Sequence, residues 1–380
     1  MNKINDIFAC KVLFFIMAFS IGLWTIRIPT IRDQIQTDYL GIGYLMAIFA
    51  IGSIIAMLFA NHMIAKSSSK KILIYTSFLN WILWLPVPFV KDLSTFMCLA
   101  FLFGVCFGLF EICINLQATK IEAREKKSMM SGFHAFWSLG VLFGSFITSL
   151  FLQWEISILI NILIYVIIML PINIFFCFNL KEDNKIIKDD KKNIFFIWPV
   201  LIFLLATISM ANVLTEGSVD SWGALYMNDY IKVSGFQVGI ATISFNIFMV
   251  VGRIYGDSIR DKIGVYYLFL SSMFLTIISL LILINFNTII SSILGFAALG
   301  LGTSSIIPMS YSLASKIKGV DSGVGITIIS ISVYGTFIGA PASLGLLANF
   351  YGINNIFMPI LIIFIILLVP IKIFKNEFKL

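Results

Sequence analysis

Residues 96–121 read FMCLAFLFGVCFGLFEICINLQATKI. About 20 apolar residues wound as a helix cross the roughly 30 Å hydrocarbon core of a bilayer, and this run is long enough to do so with one acid, Glu111, inside it. Ala100, Gly104, Gly108, Glu111, Asn115 and Ala118 recur at steps of three or four, so on a helix they share one face. Gly104 and Gly108 form a GxxxG pair, the spacing that lets a second helix approach closely. Phe, Leu, Val, Cys and Ile fill the other faces and suit lipid or apolar neighbours. Glu111 lies roughly 12 Å from the end of the run near Thr119, at about 1.5 Å per residue. A carboxylate at such depth costs roughly 2.5–3.5 kcal/mol. Two readings follow: a structural hydrogen bond to a neighbouring helix, or a protonatable site in a polar seam. The second is the expectation, because ionisable groups inside membranes are functional by default.

The whole chain extends this pattern. Its 380 residues are 59% hydrophobic and 12% charged, with mean hydropathy +1.00; a soluble domain carries about twice that charge. The expected fold class is an all-α polytopic membrane protein. Apolar runs near 8–29, 40–64, 71–90, 95–119, 130–152, 155–179, 195–216, 236–259, 265–285, 288–315, 321–348 and 353–374 predict about twelve transmembrane helices. The first run continues past Trp24 without a small-residue cleavage site and is read as an uncleaved span. The charged stretch KEDNKIIKDDKKN at 181–193 has no apolar face and reads as a linker. The expected organisation is a six-helix half at 1–180, a cytoplasmic linker at 181–194 and a second six-helix half at 195–380.

With both termini placed inside, all but four of the 26 Lys and Arg residues fall on the inner side; the four are Arg27, Arg32, Lys91 and Lys232. That bias predicts a multi-pass protein of the inner (plasma) membrane with both termini cytoplasmic. The net charge of +7 is thereby accounted for by inner loops, and no nucleic-acid partner is expected. Cys10, Cys98, Cys106, Cys113 and Cys177 all fall in apolar runs, with no metal-ligand spacing and no disulfide framework. They read as small core hydrophobes.

The halves also repeat. A shift of 196 lays Gly104 on Gly300, Lys66 on Lys262, and Ala118-Thr119-Lys120-Ile121 on Ala314-Ser315-Lys316-Ile317. A shift of 195 lays Gly140 and Gly144 on Gly335 and Gly339. Two pseudo-symmetric halves are one way in which transporters build a site at the membrane midplane.

After the eighth run the sequence is GRIYGDSIRDKIG, Gly252–Gly264. Its Asp261-Lys262-Ile263-Gly264 resembles the D-[RK]-x-G core of the signature loop of the major facilitator superfamily. The family's leading Gly falls on Asp257, beside Gly256. At the repeat position, Asn61, Ala65, Lys66 and Ser68 keep the basic residue and lack the acid and glycines. WTIRIPTIRDQI (24–35), EICINLQATKIE (111–122), SGFHAFWSLGVLFGS (131–145) and TEGSVDSWGALYMND (215–229) resemble the YbjJ-type branch, near the fucose:proton symporters. The resemblance implies the twelve-helix fold and a secondary transporter working by alternating access. It also places Glu111 where fucose-type symporters keep a fourth-helix acid.

Candidate residues for the substrate and proton pathway are Glu111, Asn115, His134, Arg27, Trp24, Glu216, Asp220, Trp222 and Asn246. Glu111 and Asn115 at i, i+4 put an acid beside an amide. His134 opens the fifth run, either as a relay to Glu111 or as an ordinary solvated His near the inner face. Glu216, Asp220, Trp222 and Tyr226 either face a polar solute or form an interfacial aromatic belt. Gly217 and Gly223 are expected to break the seventh helix. Arg27, beside Trp24, is read as attracting an anionic substrate, pairing with Glu216 or Asp220, or snorkelling at the interface. Asn246 binds substrate or packs on another helix. Arg253 and Asp257, at i, i+4, are read as an ion pair latching an inner gate, with Asp261, Lys262 and Gly264 in the same structural group.

No GxxxxGK[ST], HExxH or GxSxG occurs, so nucleotide-driven or hydrolytic chemistry is not indicated. The expected function is proton-coupled transport of a small polar solute, such as a sugar or related metabolite, without enzymatic activity, cofactor or metal. The alternatives are an efflux antiporter for drugs or metabolites, suggested by the Pro-containing run Gly335–Gly345, and a receptor or assembly protein that keeps the fold without transporting. Expected partners are the solute, protons and the lipid bilayer, with the chain acting as a monomer.

Overall fold

A computed structural model describes residues 5–126, 129–181, 199–314, 317 and 322–379. Among these residues the chain is helical throughout, and eleven helices are long and apolar enough to cross a membrane. The helix at the eleventh expected position, Ser322–Tyr351, has 30 residues and matches the predicted span in place and length. The chain divides into two compact units, residues 1–189 with 234–237, and residues 190–233 with 238–380. The predicted linker at 181–194 falls, apart from Lys181, outside the described residues.

In unit 1 the helices are α1 (Asp6–Gln34), α2 (Tyr39–Lys66), α3 (Ser69–Leu83), α4 (Leu93–Glu125), α5 (Met130–Gln153) and α6 (Ile158–Asn179). Polar caps start several of them: Asp38, Ser68, Asp92 and Ser157 each accept a backbone N–H from the first turn, supplying partners that a helix start otherwise lacks. The closest packing joins α1 to α5 and α2 to α4, and glycine sets both contacts. A Cβ at Gly140 or Gly144 would collide with the Phe15 or Phe19 carbonyl of α1, and one at Gly104 or Gly108 with the Phe49 or Ser53 carbonyl of α2. The GxxxG pair of the opening stretch therefore seats α2.

Unit 2 contains α7 (Val200–Leu225), α8 (Ile240–Ile263), α9 (Val265–Asn285), α10 (Ile289–Thr303), α11 (Ile306–Ala314), α12 (Ser322–Tyr351) and α13 (Phe357–Ile373). A Cβ at Gly300 would meet the carbonyl of Phe245 and the N–H of Met249, whereas one at Gly104 would meet those of Phe49 and Ser53. All three pairs of positions differ by 196, the offset read from the sequence. The repeat is thus a repeat of packing.

Two expectations need correction, and one span has more detail than expected: the 288–315 run is a single candidate crossing, Ile289–Ala314, that turns at Ser304–Ser305 from α10 into α11. Pro308 has no N–H to give the Ser304 carbonyl, which removes that helical bond. Neither Gly217 nor Gly223 interrupts α7; the helix runs to Leu225, and the irregularity is a π turn at Tyr226–Tyr230. Gly223 instead brings α7 against Ala241 and Thr242 of α8. Finally, Cys98 is exposed while the other four cysteines are buried.

Gly264 alone joins α8 to α9, at φ +83°, a left-handed conformation that side chains other than glycine rarely adopt. The glycine of the D-[RK]-x-G core is there for the turn.

Candidate functional site

In unit 1, Glu111 and Asn115 are half-buried on α4, beyond the glycines that hold α2. The Asn115 amide donates to the Glu111 backbone carbonyl at 2.9 Å, so it braces its own helix and leaves the carboxylate to other partners. Gln117 is buried and donates to Ser69 Oγ at 2.9 Å and to the Lys181 carbonyl at 3.2 Å, tying α4 to α3 and to the end of α6. His134 is exposed, its ring edge-on to Phe14 at 5.4 Å. Trp24 is half-buried, with its ring 6.2 Å from Phe96.

Arg27 is only 3% exposed. Its Nε donates to Asn161 Oδ1 at 3.0 Å and its Nη2 to the Ile156 carbonyl at 2.7 Å. The guanidinium thus closes α1 onto the start of α6 and the turn before it. Its partners lie inside unit 1, and its head group is not at a water interface. No pattern in the sequence points to Asn161 as its partner, which lies 134 positions away.

Unit 2 gathers a different set. Ser209, Asn212, Glu216 and Asp220 recur at steps of three and four along α7, forming one polar stripe. Asn212 Nδ2 donates to Glu216 Oε1 at 2.7 Å, and Arg253 of α8 lies 3.8 Å from Glu216 Oε2. Asp220 is within Coulombic range of both charges. The expected partner of Arg253, Asp257, has a side chain outside the described residues; Glu216 is the acid seen beside Arg253. On α8, Asn246 is buried and donates to the Thr242 carbonyl at 3.0 Å.

Several buried atoms in this set have no hydrogen-bond partner among the described residues: Ser209 Oγ, Asn212 Oδ1, Asp220 Oδ1 and Thr242 Oγ1. Most buried polar atoms in proteins are paired; unit 1 also holds such exceptions, Thr25 Oγ1, Ser145 Oγ and Asn161 Nδ2 among them, but along α7 they sit beside two acids and Arg253. Trp222 is 1% exposed and borders a cleft between α7 and α12, with Gly217, Ser218, Thr336 and Pro341 on its walls. Asn212, Ser209 and Thr242 were missed from the sequence. Only Asn212 carried a signal, its i−4 relation to Glu216.

Asp261 is exposed and pairs with Arg260 at 3.0 Å; Lys262 is also exposed. Among the described residues no group of three His, Cys, Asp or Glu could hold a metal ion.

Two units of membrane-spanning helices, with the α4–α2 and α10–α8 glycine contacts related by one offset of 196, define a polytopic membrane protein built from a repeat. The chain belongs to the Major Facilitator Superfamily, whose family model matches residues 12–219 and 201–379. Among similar proteins, an uncharacterized MFS-type transporter of Yersinia pestis is 25% identical over 351 residues, 91% of this chain and 90% of that one. Membrane protein MosC of Rhizobium meliloti is 24% identical over 364 residues, covering 93% and 86%. The crystal structure of the nucleoside transporter NupG matches with a TM-score of 0.73 at 14% identity, over 99% of this chain and 100% of that one. A bacterial homolog of the lysosomal transporter Spinster, in an inward-facing and occupied conformation, matches at 0.70 and 11%, over 98% and 96%. At these identities the structural likeness speaks for the fold alone.

Proposed function

We propose that this chain is a secondary active transporter that moves a small, hydroxyl-rich solute by alternating access and couples the movement to protons. One observation carries the reading: the stripe of Asn212, Glu216 and Asp220 beside Arg253, with acceptor oxygens on Asn212 and Asp220 that no donor meets among the described residues. A buried acceptor left unpaired costs about 1–3 kcal/mol. That cost is offset when a bound solute brings hydroxyl donors, which favours a sugar or related metabolite. Trp222, one turn from Ser218, offers an apolar ring for the carbon face of such a solute. The resemblance to the YbjJ-type branch and the fucose:proton symporters points the same way, as does the cargo named for NupG, since a nucleoside carries ribose hydroxyls.

Glu111 takes the proton in this scheme. A neutral acid is cheaper to bury than a carboxylate, so protonation lowers the cost of closing the protein around a loaded site. The inner membrane, with cytoplasmic termini, is the location that the Lys and Arg distribution supports.

The test uses proteoliposomes and a solute found by thermal-shift screening of sugars and nucleosides, because ligands that bind the folded state raise its apparent stability. Glu111→Gln is expected to abolish pH-driven accumulation and to retain counterflow. Asp220→Asn is expected to weaken counterflow at low solute concentration. Undiminished concentrative uptake by Glu111→Gln removes that residue from coupling. No counterflow with any solute that shifts the melting curve makes the chain a receptor.

A further inference from the structure

A second site lies in unit 2 apart from the polar stripe, with no α7 residue in its lining. The turn at Gly264, the start of α9, the inward face of α11 and the C-terminal turn Lys375–Lys379 enclose a cavity of about 630 Å³. That volume is in the range of small-molecule sites, about 300–1,000 Å³. Its charged lining is Arg260, Asp261 and Lys375, an excess of one positive charge.

The C-terminal turn is a built wall. Phe378 is 1% exposed and packs edge-on against Phe269 at 5.3 Å and Tyr266 at 6.4 Å. This anchor holds Lys375 with its ammonium 5.2 Å above the Tyr266 ring and 5.6 Å from that of Tyr267. A cation over two aromatic faces is oriented without being neutralised. Arg260 directs Nε and one Nη to Asp261 Oδ1, an exposed pair of small net worth.

The surface around the cavity has two characters. Ile259, Ile263 and Tyr267 are 40%, 43% and 54% exposed and continue the apolar flank of α8 and α9, while Asp261 and Lys262 are exposed beside them. A basic recess bordered by exposed apolar side chains at the end of a span fits a ligand with a phosphate head and hydrocarbon tails. We propose that this cavity binds the headgroup of an anionic phospholipid, with Lys375 and Arg260 facing the phosphate and Ile263 and Tyr267 beside the acyl chains. Phe378 is the positioning residue that keeps the wall in place.

The experiment titrates the full chain in detergent with phosphatidylglycerol, phosphatidylcholine or inorganic phosphate and reads thermal stability. Phosphatidylglycerol is expected to raise the melting temperature at a lower mole fraction than phosphatidylcholine, with inorganic phosphate having no effect. In Arg260→Gln/Lys375→Gln the half-saturating mole fraction of phosphatidylglycerol should rise roughly tenfold or more, since each basic side chain near an anionic surface is worth about a factor of five. Asp261→Asn removes the anion and should move it a few-fold in the other direction, a result that does not depend on the double variant folding. Phe378→Ala should lose most of the preference with both charges still present. Equal response to the two lipids, or an unchanged titration in Asp261→Asn and the double variant, overturns the proposal. A matching response to inorganic phosphate makes this a free-anion site instead.

Discussion

The contact of α4 with α2 and the contact of α10 with α8 are built alike, whereas that of α5 with α1 and that of α12 with α7 are not. Gly104 and Gly300 rest on carbonyls 196 residues apart in sequence. Gly140 and Gly144 press on α1 in the same manner, yet no described atom lies within 4 Å of a Cβ at Gly335 or Gly339. In place of that contact, unit 2 has a cleft between α7 and α12 lined by Ser218, Trp222 and Thr336. Unmet polar atoms do not follow that division: Thr25 Oγ1, Ser145 Oγ and Asn161 Nδ2 in unit 1, like Ser209 Oγ, Asn212 Oδ1 and Asp220 Oδ1 along α7, have no hydrogen-bond partner among the described residues. The difference is one of packing: glycine presses α5 onto α1, while α12 and α7 leave a cleft.

Arg27→Ala should give the largest effect. It strands the Asn161 side-chain oxygen and the Ile156 carbonyl in a buried place, at about 1–3 kcal/mol each, read as a fall in the thermal unfolding temperature in detergent. Arg27→Lys should recover only part, since an ammonium cannot reproduce the forked geometry. A mild loss in Arg27→Ala would mean that the junction of α1 with the start of α6 does not depend on the guanidinium.

Glycine provides the next contrast. Gly140→Val forces α5 off the Phe15 carbonyl and should cost about 2 kcal/mol, whereas Gly335→Val, in open space, should stay within about 0.5 kcal/mol. Equal costs would erase the difference between the two helix pairs. The smallest effect has the opposite sign. Ser209→Ala or Thr242→Val deletes a hydroxyl with no partner among the described residues and should stabilise the fold by up to about 1 kcal/mol while weakening solute binding in the thermal-shift titration. A destabilised variant would show those hydroxyls to be bonded in the working protein.

The glycine register was legible in the sequence because close helix approach admits few residue types, so Gly104 and Gly300 announce themselves. Gly264 was legible for the same reason, its left-handed backbone excluding most alternatives. Acids inside apolar runs were legible as exceptions, which is how Glu111, Glu216 and Asp220 were found. Arg27 was visible but its role was not, since Asn161 is remote in sequence and an Asn in an apolar run has many uses. Ser209 and Thr242 gave nothing: a hydroxyl on a helix usually bonds to its own backbone, as Thr215 does to Ala211, and only coordinates reveal one that does not. The break at Ser304–Ser305 was foreshadowed by Pro308, whose effect falls four residues upstream and was hidden by the unbroken hydropathy of the run.

That break divides the allegiance of a single membrane crossing. Its first segment, α10, lies against α8 and α9, and the second, α11, against α7 and α12. The crossing is therefore a crank with a two-serine elbow. A tilt of α8, the carrier of Arg253, reaches α12 along this crossing only as far as that elbow transmits torque, beside the direct path through α7, which touches both helices.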